Sequence, residues 1–423
     1  MPLRVAAAPR YDRRMRIAHI ESGRHLYGGA KQVLHLIGGL GKEGVDNVLI
    51  CPRGAAIAAE ARTLCPVVEL PLRGDLDVGA PARLRAALAS IAPDIVHVHS
   101  RRGADLFGGL ASIGAPWRAV LTRRVDALEW PPWARVKYAP YDVLIAISSA
   151  IEHELVEHVG LPRARVRLVP SGVPLAAAPP DGSRSPRPSE AACGGGTDPA
   201  RGPERQALRA SLALPHDARI AGVVAQLIPR KGHRVLLRAL ADVLARQPRW
   251  HVVLLGRGPL ERSIRREIAA SGLASRVHLA GFRPDAPRWL PALDLLLHPA
   301  LKEGLGLAVL EAMSVGVPVA ASAAGGLVDI VDDGVSGVLV PPGDARAWAE
   351  AADRLMRDGE LRARLGAAGR RRVRDAFGVE RMVLGNLAVY REVAARSAAI
   401  RPGPEDTEPS AARRRSRRPE ARA

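Results

Sequence analysis

Aromatic residues make up only 3% of this 423-residue chain, cysteine occurs three times, and lysine contributes just five of the 62 basic residues. Each scarcity excludes something. So few aromatics leave no interleaved stacking platform for single-stranded nucleic acid. Cys51, Cys65 and Cys193 have neither the paired spacing of a zinc site nor the density of a disulfide scaffold, and they fit a reducing compartment. No run of about 18 apolar residues is present to span a bilayer. The opening MPLRVAAAPRYDRR is broken by Pro9 and lacks a hydrophobic signal core, so a chain that is not exported, and hence cytoplasmic, is expected.

What is present is the composition of a folded globular protein, 47% apolar and 25% charged. At roughly 150 residues per domain the length suits two to three compact units. The net charge of +19 is carried almost wholly by arginine, scattered over the helical stretches as well as clustered, and no nucleic-acid partner is expected from it. Attraction to an anionic membrane surface or an acidic substrate needs no motif and stays open.

From Arg16 onward, short aliphatic runs alternate with helical stretches: RIAHIE, a glycine loop, a helix over about 30–40, then VDNVLIC, PVVEL, DIVHVH, AVLT, DVLIAIS and VRLVP. Such βαβ alternation predicts a parallel sheet covered by helices on both faces. Residues 174–204, rich in Pro, Gly, Ser and Ala, read as a flexible insert or linker. The rhythm then restarts with RIAGVVA, HVVLLG, VHLAGF, DLLLH, PVAAS and GVLVP, so residues 205–378 form a second doubly wound unit after 16–173. A helix over 379–400 is long enough, at about 1.5 Å per residue, to reach back across the first domain. Residues 401–423, with the run RRRSRR, read as a disordered basic tail.

The most informative stretch is KEGLGLAVLEAMSVGVPV. Gly316 and Pro318 stop a helix that should begin near Gly304 to Gly306, so that Glu303 lies beside its free amides and Glu311 falls in its second turn. Free amides and the helix dipole favour an anion, and glycines let the backbone approach it. Eight residues at ~1.5 Å each separate the two carboxylates by about 12 Å, the reach from a ribose across a diphosphate to a sugar. The competing reading makes Glu303 a helix-start charge and Glu311 an ordinary surface residue.

A second stretch, AQLIPRKGHRVLL, leaves Arg230 and Lys231 at the C-terminal edge of a strand, where doubly wound sheets bind ligands. Gly28 and Gly29 in GRHLYGGAKQVL follow the first strand without the full dinucleotide spacing. His97 and His99 share a strand face, His97 suited to a hydrogen-bonded core position and His99 closer to a cleft. A metal would need a third ligand that the sequence does not place, and Asp77 reads as the N-cap of the following helix, so no metal is assigned.

Together these motifs resemble the retaining GT-B glycosyltransferases of the family-four type, the large group of bacterial polysaccharide and lipopolysaccharide enzymes. The similarity runs from about Arg16 to Arg396, and EGLGLAVLEAMSVGVPVAASAAGGLVDIVDDGVSGVLVPPGD is its most specific element. The resemblance implies an α/β GT-B fold, with two doubly wound Rossmann-like domains facing across a cleft. The nucleotide-sugar would be held mainly by the second domain and the glycan or lipid-linked acceptor by the first. Carried over by residue, Glu303 would bind sugar hydroxyls, Glu311 the ribose and Lys231 the diphosphate. Gly304, Leu305, Gly306 and Leu307 would present the helix start to the donor, and Gly28 and Gly29 would admit the phosphates from the other side. The family typically works without a metal or other cofactor, its nucleoside-diphosphate sugar being a co-substrate. The resemblance also implies work at the inner membrane face.

Leaving-group charge is the chemical difficulty in such a transfer, and Arg230, Lys231 and the helix amides are placed to meet it. PSGV at 170–173 would be the hinge of domain closure. The chain departs from the family pattern twice. Gln226 stands where an arginine is frequent, and Arg123 and Arg124 stand where a histidine often lies beside the reacting sugar, leaving Arg124 and His99 as candidates for that place. A nucleotide-sugar epimerase, a phosphorylase on the same fold, or a non-catalytic sugar-nucleotide-binding protein are the alternatives.

Overall fold

The computed structural model describes residues 14–74, 76–99, 103–125, 129–175, 202–283 and 285–400. Most of the predicted linker and the whole basic tail lie outside the described residues. Seven strands, β1 (Arg16–Ile20), β2 (Asp46–Pro52), β3 (Val67–Leu70), β4 (Ile95–Val98), β5 (Arg118–Arg123), β6 (Val143–Ala146) and β7 (Val166–Leu168), form one sheet in the order β3-β2-β1-β4-β5-β6-β7. Six more, β8 (Arg219–Val224), β9 (Trp250–Leu255), β10 (Val277–Gly281), β11 (Leu295–His298), β12 (Val319–Ser322) and β13 (Val338–Val340), form a second in the order β10-β9-β8-β11-β12-β13. The sheet pairings are parallel. The central runs are buried along their whole length, as a sheet covered on both faces requires.

Strand order decides where a ligand can sit. It reverses direction between β1 and β4 in the first sheet and between β8 and β11 in the second. Beyond the C-terminal ends of those strands the covering helices diverge and leave a crevice. Gly28 follows β1, Lys231 follows β8 and Glu303 follows β11, so all three belong to the two crevices.

The chain leaves the first domain through Val173 and returns beside it: Val173 N donates to Phe377 O (2.9 Å) and Val379 N to Val173 O (3.2 Å). The final helix, Val379–Ile400, packs on the first domain, with Tyr390 wholly buried there and Glu392 paired to Arg167 at 2.5 Å.

Two local expectations are corrected. The helix after Glu303 runs Leu307–Ser314 and starts one residue after the predicted window, because Gly306 (φ 106°) adopts a left-handed conformation that cannot be helical. Asp77 caps no helix: the residue ahead of Ala80–Ile91 is Gly79, and the Asp77 carboxylate instead binds Arg83 and the Arg73 amide.

Candidate active site

After β8 the chain makes a single turn, Pro229–Lys231, closed by Gly232 at φ 69°. A side chain on Gly232 would put its Cβ 1.8 Å from the Pro299 carbonyl oxygen, so glycine alone lets this turn lie against the end of β11. That contact sets Lys231 beside Glu303. The Lys231 ammonium donates to Oε2 of Glu303, and His298 Nε2, at the last residue of β11, donates to the same oxygen at 2.8 Å. The second oxygen, Oε1, has no hydrogen-bond partner among the described residues. Glu303 is 8% exposed and His298 is 2%. Burial by itself would raise the Glu303 carboxyl, but the His298 hydrogen bond and the Lys231 charge outweigh it and hold the group well below the usual carboxylate range. Burial likewise lowers His298, which is neutral near pH 7.

Glu311, in the second turn of Leu307–Ser314, has its carboxyl raised by burial, with the ammonium of Lys31 pulling it back down. Lys31 belongs to the first domain's opening helix, Gly28–Lys42, so this influence acts across the cleft. The two helix starts meet: a Cβ on Gly28 would fall 2.8 Å from Leu307 Cδ1. The first turns of the two helices, where amides lack intrahelical partners and each dipole is positive, therefore adjoin at one crevice. Gly304 and Leu305 lie against Gly326, where a Cβ would fall 2.5 Å from the Gly304 carbonyl oxygen and 2.7 Å from Leu305 Cα. Leu305 turns its side chain into the core at 2% exposure, so only its backbone can meet a donor. Arg230 is half-buried with its carbonyl accepting from Leu301 N (2.7 Å), and Gln226 is exposed on the loop after β8. The domains also touch at the rim, where Ser149 N and Oγ donate to the Asp329 carboxylate at 2.7 and 2.5 Å.

The two arginines after β5 separate. Arg123 turns into the protein and pairs with Glu129 (2.9 Å) and Glu154 (3.1 Å). Arg124 turns to the crevice side, Nη1 donating to Ser171 Oγ at 3.0 Å and Cδ lying 3.9 Å from where a Cβ of Gly29 would stand. Burial lowers its pKa to about 10, with Glu21 and Tyr390 opposing.

His99 is corrected: at 2% exposure it lies beneath the cleft and not in it. Its Nε2 bonds His19 Nδ1 at 2.9 Å, while its Nδ1 has no partner among the described residues. His97 is the hydrogen-bonded core histidine expected, joined to Tyr390 and Thr122 at 2.6 Å each. The third imidazole that the sequence did not place is His19, and the nitrogens of the three lie within 4.8 Å of one another. A metal needs converging free lone pairs. Here His19 Nε2 is held by Asn47 (2.9 Å) and both His97 nitrogens are engaged, so the cluster is two hydrogen-bonded sets, Asn47–His19–His99 and Tyr390–His97–Thr122, in which the rings of His97 and His99 pack together with centroids 3.8 Å apart.

Sequence reasoning missed His19, Lys31 and His298. Of these only His298 carried a signal, a histidine closing a buried aliphatic strand five residues before Glu303.

Two parallel-sheet domains whose switch points face one another, with adjoining helix starts and a lysine–glutamate pair at the crevice, define a GT-B protein. A sequence model described as Glycosyltransferase Family 4 matches residues 27–177, and one described as Glycosyl transferases group 1 matches residues 204–372. The chain belongs to the GT-B glycosyltransferases of the family-four type. A D-inositol 3-phosphate glycosyltransferase of Salinispora arenicola is 36% identical over 274 residues, covering 61% of this chain and 56% of that protein. The protein of the same name from a Nocardioides species is 34% identical over 209 residues, 45% of each chain. The match thus spans about half the length of these relatives. Among solved structures, Anabaena HepE in complex with UDP and glucose superposes with a TM-score of 0.73 at 22% identity, covering 89% of this chain and 100% of that one.

Proposed function

We propose that this chain transfers a hexose-type sugar, with retention of configuration, from a nucleoside-diphosphate sugar to a glycan or lipid-linked acceptor. The observation that carries the reading is the Lys231–Glu303–His298 arrangement beside the adjoining helix starts. Glu303, kept ionised and pinned through Oε2, offers Oε1 to donor-sugar hydroxyls. Lys231, Arg230 and the free amides receive the diphosphate, and Glu311 accepts from the ribose.

In the reaction the bond from the anomeric carbon to the diphosphate oxygen breaks, and the acceptor oxygen bonds that carbon on the same face. The acceptor's proton passes to the departing phosphate oxygen. Negative charge grows on the diphosphate, and fixed cations and amides stabilise it without reorganising. These groups do the work a metal would otherwise do, so we propose turnover without one. Arg124, in the place of the frequent histidine, adds positive charge beside the reacting sugar. Closure about residues 170–173 excludes water from the donor. No helix among the described residues is long and apolar enough to cross a membrane. The net charge of +19 supports peripheral contact with an anionic inner membrane face.

The test is acceptor-dependent release of nucleoside diphosphate from a panel of donors in the presence of a chelator, with Glu303→Gln as control. Transfer lost in the variant supports the reading. Equal activity in both proteins removes the catalytic role of Glu303, and an isomerised donor without acceptor indicates an epimerase.

A further inference from the structure

The run GGLVDIV after β12 carries a carboxylate, Asp329, that stands outside the Lys231–Glu303 crevice. It sits on one short turn, Leu327–Ile330, whose Leu327 and Ile330 are wholly buried. That turn lies against the loop after Glu303: a Cβ on Gly306 would fall 2.5 Å from Leu327 Cδ2 and 3.5 Å from Ile330 Cδ1. From behind, Arg372 of the helix Gly359–Ala376 donates Nε to Ile330 O at 2.5 Å and Nη2 to Asp329 O at 2.7 Å. The main chain of Asp329 is thereby fixed to the second domain. Its side chain is turned to the first. Both carboxylate oxygens accept from Ser149, just beyond β6, Oδ2 from the amide at 2.7 Å and Oδ1 from the hydroxyl at 2.5 Å, and among the described residues neither meets a group of the second domain.

A carboxylate whose partners lie in the other domain adds little to the packing of its own. Asp329 and Ser149 are both half-buried, so water can take over each bond when the domains part, and the contact is one that forms and breaks with the cleft. Three residues earlier the chain meets the first domain again. A Cβ on Gly326 would stand 2.7 Å from Ser148 Cβ, from the first domain, as well as 2.5 Å from Gly304 O and 2.7 Å from Leu305 Cα. Ser148 is wholly buried, and only glycine at 326 leaves it room so close to the main chain beside Glu303. Gly326 N donates to Glu303 O at 3.1 Å, and Asp329 N donates to Gly326 O at 3.2 Å. A continuous path of hydrogen bonds thus runs from Ser149 through Asp329 and Gly326 to the main chain of Glu303.

We infer that Asp329 is a positioning residue: seated on Ser149 when the domains close, it holds the Gly326 turn against the main chain of Glu303, so that Glu303 is set for the donor sugar only in the closed cleft. The inference rests on the transferase reading and adds to it a coupling between closure and the alignment of Glu303. In an open cleft the donor would meet a misaligned carboxylate, which protects it from transfer to water.

Two readouts on the full chain test it: steady-state kinetics with a donor that the unmodified protein turns over, and small-angle scattering with and without UDP or GDP. Nucleotide should compact the unmodified chain, and Asp329→Ala should abolish most of that compaction while its calorimetric affinity for the same nucleotide is unchanged. In kinetics Asp329→Ala should lower kcat about tenfold or more, as lost alignment warrants, with a smaller change in KM for the donor. Ser149→Ala should fall between, since its amide still reaches Oδ2, and Ser149→Thr should recover the unmodified rate. Adding Ser149→Ala to Asp329→Ala should slow the enzyme no further, because both act through one contact. A merely structural role would lower the melting temperature and leave kcat and compaction as they are. That result, losses that multiply in the double variant, or a loss confined to nucleotide affinity overturns the inference. Should Asp329→Ala not fold, Ser149→Ala and Ser149→Thr decide it by the same readouts. An unmodified chain that binds nucleotide without compacting also overturns the inference, whereas one that binds neither nucleotide strikes the transferase reading and the inference together.

Discussion

His298 donates its Nε2 hydrogen to Oε2 of Glu303 across 2.8 Å, and since a carboxylate can only accept and burial keeps the ring neutral, the tautomer is fixed with Nδ1 bare. The imidazole thus works as a strut that aims Glu303 from below. With His298→Ala, Lys231 alone would hold the carboxylate and let it swing. Misplacement of a positioned group by about 1 Å can cost on the order of a hundredfold in rate. The expected outcome is a fall in kcat of tenfold or more, with calorimetric affinity for nucleoside diphosphate unchanged, because that ligand lacks the sugar. An unaltered kcat would reduce His298 to core filling.

Lys231 and Glu303 neutralise each other at 11% side-chain exposure apiece, so removing one member strands the other. Breaking such a buried pair costs about 3–5 kcal/mol, more than the roughly 1.5–3 kcal/mol expected from a lost contact to the donor diphosphate. Lys231→Ala should therefore lower the melting temperature of the free protein as well as weaken nucleotide binding. Adding Glu303→Gln to it should restore most of the melting temperature but none of the binding. A double variant no more stable than Lys231→Ala would mean the pair is not coupled.

Burial pushes several imidazoles below their usual range: His19 and His233 to about 4, and His97 and His99 well below the ordinary imidazole value, neighbouring imidazoles adding to the effect. The sign follows from proton uptake. Between pH 6.5 and 4 the unfolded chain binds protons that the folded protein refuses, so stability falls as pH drops through that window. For His19 alone the loss amounts to about 3 kcal/mol once pH is below 4. The depressed Glu303 carboxyl adds a further loss below the ordinary carboxylate range. Urea midpoints should decline steadily from pH 7.5 to 5, and a flat profile would contradict the buried histidine cluster.

The strands were legible because parallel sheets buried on both faces demand short aliphatic runs, and the crevice was legible because a Gly-rich helix start beside Glu303 has few other uses. Several helices were not. Ala56–Ala61 and Ala104–Ser112 are built from Ala, Gly and other small or apolar residues with little polar face, so no helical period stands out from the background. The site's support was hidden for a different reason. His19 meets His99 only because β1 and β4 pair with His19 opposite His97, a register that neither strand's own sequence specifies. Arg123 and Arg124 are adjacent and chemically alike. Strand alternation sends them to opposite sides, and only the carboxylates of Glu129 and Glu154, brought in from elsewhere in the chain, determine which one is consumed.

Gly172 stands where the two crossings between domains touch. A Cβ there would lie 2.6 Å from the Gly378 carbonyl oxygen and 2.7 Å from Val379 Cα, backbone atoms that can move only together with the crossing itself. Gln32, from the opening helix, clamps the same residue: Nε2 donates to Gly172 O at 2.8 Å, and Gly172 N donates to Oε1 at 3.1 Å. Loss of that clamp in Gln32→Ala leaves the buried Gly172 carbonyl unpaired and its N–H with the Met382 sulfur alone (3.3 Å), a destabilisation of about 1–3 kcal/mol readable from urea midpoints. Gly172→Ala should instead wedge the crossings apart, changing kcat and KM for the donor together, since hinge residues act on both binding and closure. If Gly172→Ala matched the unmodified chain in melting temperature and in both constants, residues 170–173 would not be the pivot on which the domains close.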